Sequence, residues 1–256
     1  MSERLVEHLR VRLFPDERAL ARAAAEDAAT ALRSALEARE RARVLFASGN
    51  SQLAFLAELA ASDDVDWGRV VGFHMDDYVG IEAGHPASFR RYMREHVVER
   101  LRPADFHFIE GDAPDAGREA ERYSTLLGAG PIDLCCLGIG ENGHLAFNDP
   151  PVADFDDPVD VKVVALEARS RRQQVGEGHF ESLEAVPETA ITVTIPALVR
   201  ARRVLAIVPE ARKAEPVARA LEGPVSTECP ASILRRQAHA TLYLDRDSAS
   251  GLADPP

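Results

Sequence analysis

Ile132-Asp133-Leu134-Cys135-Cys136-Leu137-Gly138 runs straight into Ile139-Gly140-Glu141-Asn142-Gly143-His144, and the reading of that junction decides the fold. The first part is short and apolar on both sides, the pattern of a strand covered on two faces. The second part, Gly138-x-Gly140-x-x-Gly143, has the spacing of a dinucleotide-binding fingerprint. That fingerprint needs its third glycine inside an opening helix, whereas here Leu145-Ala146-Phe147-Asn148-Asp149 leads into Pro150-Pro151. The junction is therefore read as a buried strand followed by a tight glycine loop that presents His144.

Six more runs outward from it read as strands: Arg43–Ala47, Arg69–Phe73, Val161–Ala165, Ile191–Ile195, Arg203–Val208 and Ala240–Leu244. Helical patterns fall between several of them. One begins at Asp16, which can cap it, and repeats Leu20, Ala24, Ala28, Leu32 and Leu36 as a buried stripe; others cover Gln52–Leu59, Ser88–Leu101, Asp115–Leu127 and Ala211–Leu221. Alternation of this kind predicts an α/β fold, a mostly parallel twisted sheet with helices on both faces. No linker rich in Gly, Ser or Pro divides the chain, so one domain is expected over residues 1–247, and residues 248–256, aperiodic and ending in Pro-Pro, read as a disordered tail.

Composition narrows the function. With 256 residues and 46% hydrophobic content the chain can bury a real core, and its net charge of −12 sets it against nucleic-acid binding, since a phosphate backbone needs a basic surface. No run approaches the roughly 18 apolar residues of a membrane span. Met1 to Arg12 alternates charge with Val and Leu, unlike a leader peptide, so a cytoplasmic protein is expected. Cys135 and Cys136 are neighbours and Cys229 stands alone, which leaves no disulfide framework or spaced metal-binding pattern; buried thiols are the expectation.

Four polar or glycine-bearing segments follow predicted strands: Ser48-Gly49-Asn50-Ser51, Met75-Asp76-Asp77-Tyr78, Gly138 to His144, and Glu210-Ala211-Arg212-Lys213. Parallel strands end along one edge, where ligands bind, so the four should converge. Ser48–Ser51 at a helix start suits a phosphate, although as a segment it is more often an ordinary turn with Ser51 as cap. Lys213 is the cation such a phosphate needs, or else solvated surface. Of Asp76 and Asp77, successive side chains should diverge, leaving one carboxylate for proton transfer; a metal reading with His74 lacks a second ligand cluster. His144 is a structural imidazole or an acid-base group whose neighbours Glu141, Asn142, Asn148 and Asp149 can fix its tautomer. Arg171 and Arg172 are a solvated face or an added anion contact, and the remaining histidines carry no role from spacing.

Phe73-His74-Met75-Asp76-Asp77-Tyr78-Val79-Gly80 with His85-Pro86, and Gly138 to His144 followed by Leu145-Ala146-Phe147-Asn148-Asp149-Pro150, resemble the glucosamine-6-phosphate deaminases, a family similar in fold to the 6-phosphogluconolactonases. The resemblance runs from about Phe46 to Leu244. It implies ring opening of a phosphorylated aminosugar, isomerisation through an enediol-type intermediate and release of ammonia, with no metal or organic cofactor. Asp76 resembles the base between C2 and C1, and His144 the ring-opening acid-base group. Ser48, Gly49, Asn50, Ser51 and Lys213 resemble the phosphate-binding groups. Three positions depart from the family pattern. Asn142 stands where many members have an aspartate, with Glu141 beside it; Asp149 replaces a glutamate and is one methylene shorter; and Gly176-Glu177-Gly178-His179-Phe180 occupies the place of a phosphate-contacting arginine, a role left to Arg171 or Arg172. A lactonase-type hydrolase and a non-catalytic sugar-phosphate sensor are the competing readings, and a homo-oligomer is left open.

Overall fold

A computed structural model describes residues 1–254. Its strands are β1 Ser2–Val6, β2 Leu9–Leu13, β3 Ala42–Phe46, β4 Val70–His74, β5 Asp76–Tyr78, β6 Asp105–His107, β7 Leu134–Leu137, β8 Val161–Ala165, β9 Thr189–Val193, β10 Arg203–Val208 and β11 Ala240–Leu244. Its helices are α1 Glu17–Ala38, α2 Leu53–Ala60, α3 Phe89–Met93, α4 Glu99–Leu101, α5 Ala116–Gly128, α6 Ala168–Gly176, α7 Ile195–Val199 and α8 Ala214–Glu222. A π-helical stretch, Arg94–Val98, joins α3 to α4.

The main sheet has the order β1-β2-β11-β10-β7-β3-β4-β6, parallel throughout except for β1, which pairs antiparallel with β2 at the edge. Each central strand feeds two cores. Val44, Phe46, Leu134 and Cys136 face the stripe of α1 and the apolar side of α2, while Leu45, Ala47, Cys135 and Leu137 face α5, α7 and α8. The adjacent cysteines thus lie in opposite cores because strand side chains alternate, and all three cysteines are buried and unpaired. Asp16 caps α1 by accepting the Ala19 N–H at 2.8 Å, and the stripe Leu20, Ala24, Ala28 and Leu32 is fully buried.

Two of the expected strands do not belong to this sheet. Val161–Ala165 and the run ending near Ile195 form β8 and β9, which pair antiparallel with each other and with β5 in a three-stranded sheet. Its third strand is only three residues long and carries two aspartates, so it is a strand by virtue of its partner and not of its own pattern. An aromatic cluster of Tyr78, Phe89, Phe147 and Phe180 packs beneath it. The charge alternation of Met1–Arg12 is the β1–β2 hairpin. Most of the stretch expected as a disordered tail packs back onto the domain: Ser248, Ala249 and Leu252 are buried, and the Ala253 N–H donates to Glu222 at 2.9 Å. Pro255 and Pro256 of that stretch lie outside the described residues.

Candidate active site

From β3 the chain builds outward through β4 and β6, then returns to the other side of β3 with β7 and continues through β10 and β11. Between β3 and β7 the loops at the carboxyl ends therefore turn apart and leave a crevice. A cleft of about 600 Å³ opens there. Ser48, Gly49, Asn50 and Ser51 line it from β3, Asp76 from the step after β4, Gly140 and His144 from the loop after β7, and Lys213 from the segment after β10. The four segments do converge. Met75, Phe89, Ile139 and Phe147 supply its apolar surface.

No helix follows the glycine loop: the chain turns, bridges Leu145 to Asn148, and stays non-helical until α6. The loop's glycines serve the imidazole instead. A Cβ on Gly140 would sit 2.2 Å from the His144 ring, and Gly143, at φ +91°, would place one 2.7 Å from Cys229 Sγ. His144 Nδ1 lies 2.9 Å from Asp149 Oδ1, in an imperfectly aligned contact. Asp149 is fully buried and also accepts from Asn142 Nδ2 at 2.8 Å and from the Glu167 N–H at 3.1 Å. Burial opposes its charge, but His144 and these donors outweigh it and hold the carboxyl below the usual aspartate range. Asn142 does not bond to the ring. Its Oδ1 accepts the His144 N–H at 3.0 Å and its Nδ2 also reaches Glu167 at 3.1 Å, so it orients the carboxylate and the loop. Neither Glu141 nor Asn148 partners the imidazole: Glu141 faces Arg212, and Asn148 donates to Leu145 and Val193 carbonyls.

The two aspartates diverge as a strand requires. Asp77 accepts backbone N–H groups of Tyr78, Phe89 and Arg90 at 2.9, 3.2 and 3.3 Å and pairs with Arg90, fixing the start of α3. Asp76, almost wholly buried, is the one that lines the cleft. Burial first, then the charges of Asp77 and Asp149, raises its carboxyl well above the ordinary aspartate value. His74 is not turned to the cleft as a ligand; its Nε2 accepts the Ile109 N–H at 2.8 Å.

At the other end of the cleft Lys213 is almost entirely buried. Burial, then the Arg212 charge, lowers its pKa, and Glu177, Glu141 and Glu210 oppose the shift. Ser51 does not cap a helix: its Oγ accepts from Gln52 Nε2 at 3.2 Å, while Gln52 also anchors to the Ile207 carbonyl and the Tyr92 hydroxyl holds the Gly49 carbonyl at 2.9 Å. Most of one wall is not legible in the sequence. Gln173, Gln174, Glu177 and His179, from α6 and the turn after it, line the cleft. Gln173 ties α6 to the glycine loop by accepting the Glu141 N–H at 3.0 Å, and Glu177 ties it to the lysine segment through Arg212 at 2.9 Å. Burial opposes the Glu177 charge, but His179, Gln173, Arg212 and Lys213 outweigh it and hold the carboxyl down to about 2. The sequence signals for this wall are the pair of glycines around Glu177 and the place of Gly176–Phe180 in the family pattern; α6 itself is mostly polar and shows no apolar period.

Residues 15–243 match the family model of glucosamine-6-phosphate isomerases/6-phosphogluconolactonase. The chain belongs to this family. It is 36% identical over 208 residues, 81% of its own length and 80% of the relative's, to the glucosamine-6-phosphate deaminase of Exiguobacterium sibiricum. It is 35% identical over 230 residues, 88% and 87% of the two chains, to that of Pseudarthrobacter chlorophenolicus. The solved structure of a monomeric glucosamine-6-phosphate deaminase superposes with a TM-score of 0.85 at 27% identity, covering 94% of this chain and 99% of that one. A 6-phosphogluconolactonase from Shewanella baltica shares the fold at a TM-score of 0.76, 20% identity and the same coverage.

Within the family, the departures foreseen from the sequence resolve differently. The shorter Asp149 still reaches the imidazole. Neither Arg171 nor Arg172 takes the place of the arginine: Arg171 donates to the Leu183 and Val186 carbonyls at 2.8 Å and Arg172 is exposed. From that segment Glu177 and His179 line the cleft alongside Lys213.

Proposed function

We propose that this chain converts glucosamine 6-phosphate and water to fructose 6-phosphate and ammonia. One observation carries the reading: a buried carboxylate, a carboxylate-backed imidazole and a buried lysine line a single cleft at the switch point of a parallel sheet.

Each group has a step. His144, with Asp149 behind it, moves a proton between O1 and O5 as the sugar ring opens. Asp76 takes the C2 proton and returns it to C1, so that an enediol-type intermediate, here an enolamine, becomes an imine at C2. Water adds to that carbon and ammonia leaves, which balances the reaction. Abstraction from carbon favours a strong base, and the raised Asp76 carboxyl is one once it is ionised. The substrate's own ammonium, arriving next to it, offsets the burial and the two neighbouring carboxylates and draws it into the ionised form. Lys213, with the Ser48–Ser51 loop, holds the phosphate.

A lactone hydrolase has the same fold, but it needs no base at a carbon acid, and Asp76 would be idle in it. A single copy supplies every group named, so no second subunit is required to complete the site. Among the described residues no helix is long and apolar enough to cross a membrane, and three unpaired thiols suit the cytoplasm.

The deciding assay is ammonia release from glucosamine 6-phosphate without added metal. Turnover that collapses in Asp76→Asn and His144→Ala supports the reading. Absence of ammonia from this substrate and its galacto epimer, with hydrolysis of 6-phosphogluconolactone instead, would replace it with the lactonase.

A further inference from the structure

Asp76 stands where the chain leaves the main sheet for the small one. The Met75 carbonyl accepts the Val193 N–H at 2.8 Å and Asp76 pairs with Thr192, so the carboxylate is placed by a two-residue step out of β4. His74, the last residue of β4, is fully buried. A backbone amide can only donate, so the 2.8 Å bond from the Ile109 N–H makes Nε2 the lone-pair nitrogen and leaves the proton of the neutral ring on Nδ1. Burial, with the Arg90 charge second, pushes the imidazole down to about 3, which keeps it neutral. Nδ1 is enclosed and makes no hydrogen bond of ordinary geometry among the described residues, and the Asp76 backbone lies close enough to the imidazole to favour its protonated form. The His74 backbone is held as well: its N–H donates to the Tyr123 hydroxyl at 3.0 Å, and that hydroxyl lies 2.7 Å from the His74 carbonyl. Packing alone does not ask for an imidazole here, because an apolar side chain of similar size would fill the space without burying an underused N–H.

We propose that His74 is a positioning residue for Asp76: Nε2 locks the ring to the Ile109 amide, and the Nδ1–H so defined faces the Asp76 backbone and sets where the carboxylate meets the substrate. The inference rests on Asp76 being the base.

The test compares two substitutions of similar bulk that each keep one contact. His74→Asn places an amide near Nδ1 and loses the Ile109 acceptor; His74→Gln keeps an acceptor near Nε2 and loses the donor toward Asp76. Ammonia release from glucosamine 6-phosphate is measured as kcat and KM as a function of pH, together with melting temperature, with Asp76→Asn as control. The expected result is a kcat lowered about 10- to 100-fold in His74→Gln with KM little changed and the acid limb of kcat displaced. His74→Asn should keep near wild-type kcat while melting earlier. Wild-type kcat and acid limb in both variants, whatever their melting temperatures, would overturn the positioning role if Asp76→Asn is inactive. An active Asp76→Asn would remove the base assignment and this inference with it.

Discussion

The two walls of the cleft are built on different foundations. One wall, Ser48–Ser51, the Gly138–His144 loop and Lys213, hangs from the ends of three adjacent central strands, each packed on both faces. The other, Asp76, Phe147 and the α6 residues, rests on a three-stranded antiparallel sheet over a small aromatic cluster. The first wall is rigid because every strand in it is flanked and covered. The second holds the Asp76 carboxylate at a seam between sheets and fastens α6 with side chains only. The proposed phosphate groups and the His144–Asp149 pair thus hang from the scaffold, whereas the Asp76 carboxylate sits at the seam, where burial is deep enough to lift it.

The comparison breaks first at Asp76. Asp76→Asn should lower kcat/KM for ammonia release about 10³- to 10⁴-fold, near the upper end for one positioned acid-base group. The same substitution should stabilise the fold. A carboxyl raised in the folded state disfavours folding progressively as pH climbs above its unfolded value of 3.8. The gain in melting temperature should therefore be negligible near pH 4 and grow toward neutrality. A melting temperature equal to wild type at every pH would mean that the seam does not strain this group.

On the rigid wall, Asp149→Asn keeps the shape but removes the charge that orients His144, and kcat should fall about 10²-fold, as expected for lost acid-base assistance. Lys213→Met tests the phosphate end: loss of a charge-assisted contact worth about 1.5–3 kcal/mol should raise KM roughly 10- to 100-fold, with the smaller effect on kcat. The smallest change lies beneath the seam. The Tyr78 hydroxyl is buried without a hydrogen-bond partner among the described residues, so Tyr78→Phe should leave stability within about 1 kcal/mol of wild type or above it, read from urea midpoints.

Much of the scaffold was legible. β10 and β11 match the predicted spans residue for residue and β3, β4 and β7 lie within or beside theirs, because a strand buried on both faces announces itself by composition. The start of α1 was equally plain, its cap and stripe both being local. β5 and β6 were not, since three residues rich in Asp, His and aromatic side chains become strands only by pairing with β9 and β4. α6 was missed because its few buried residues, Ser170, Gln173 and Gln174, are polar.

The same division governs the site. By itself the sequence determined the parallel sheet, the absence of a dinucleotide helix after Gly143, and the convergence of four segments at one edge, since strand polarity dictates where their ends lie. Only the tertiary structure decided which of two adjacent aspartates faces the cleft, how a shortened Asp149 reaches His144, and that α6 closes one side. It also set the Ile109 N–H against Nε2 of His74. Those outcomes depend on contacts between residues far apart in the chain, and burial, which shifts each carboxyl up or down, exists only once those contacts have formed.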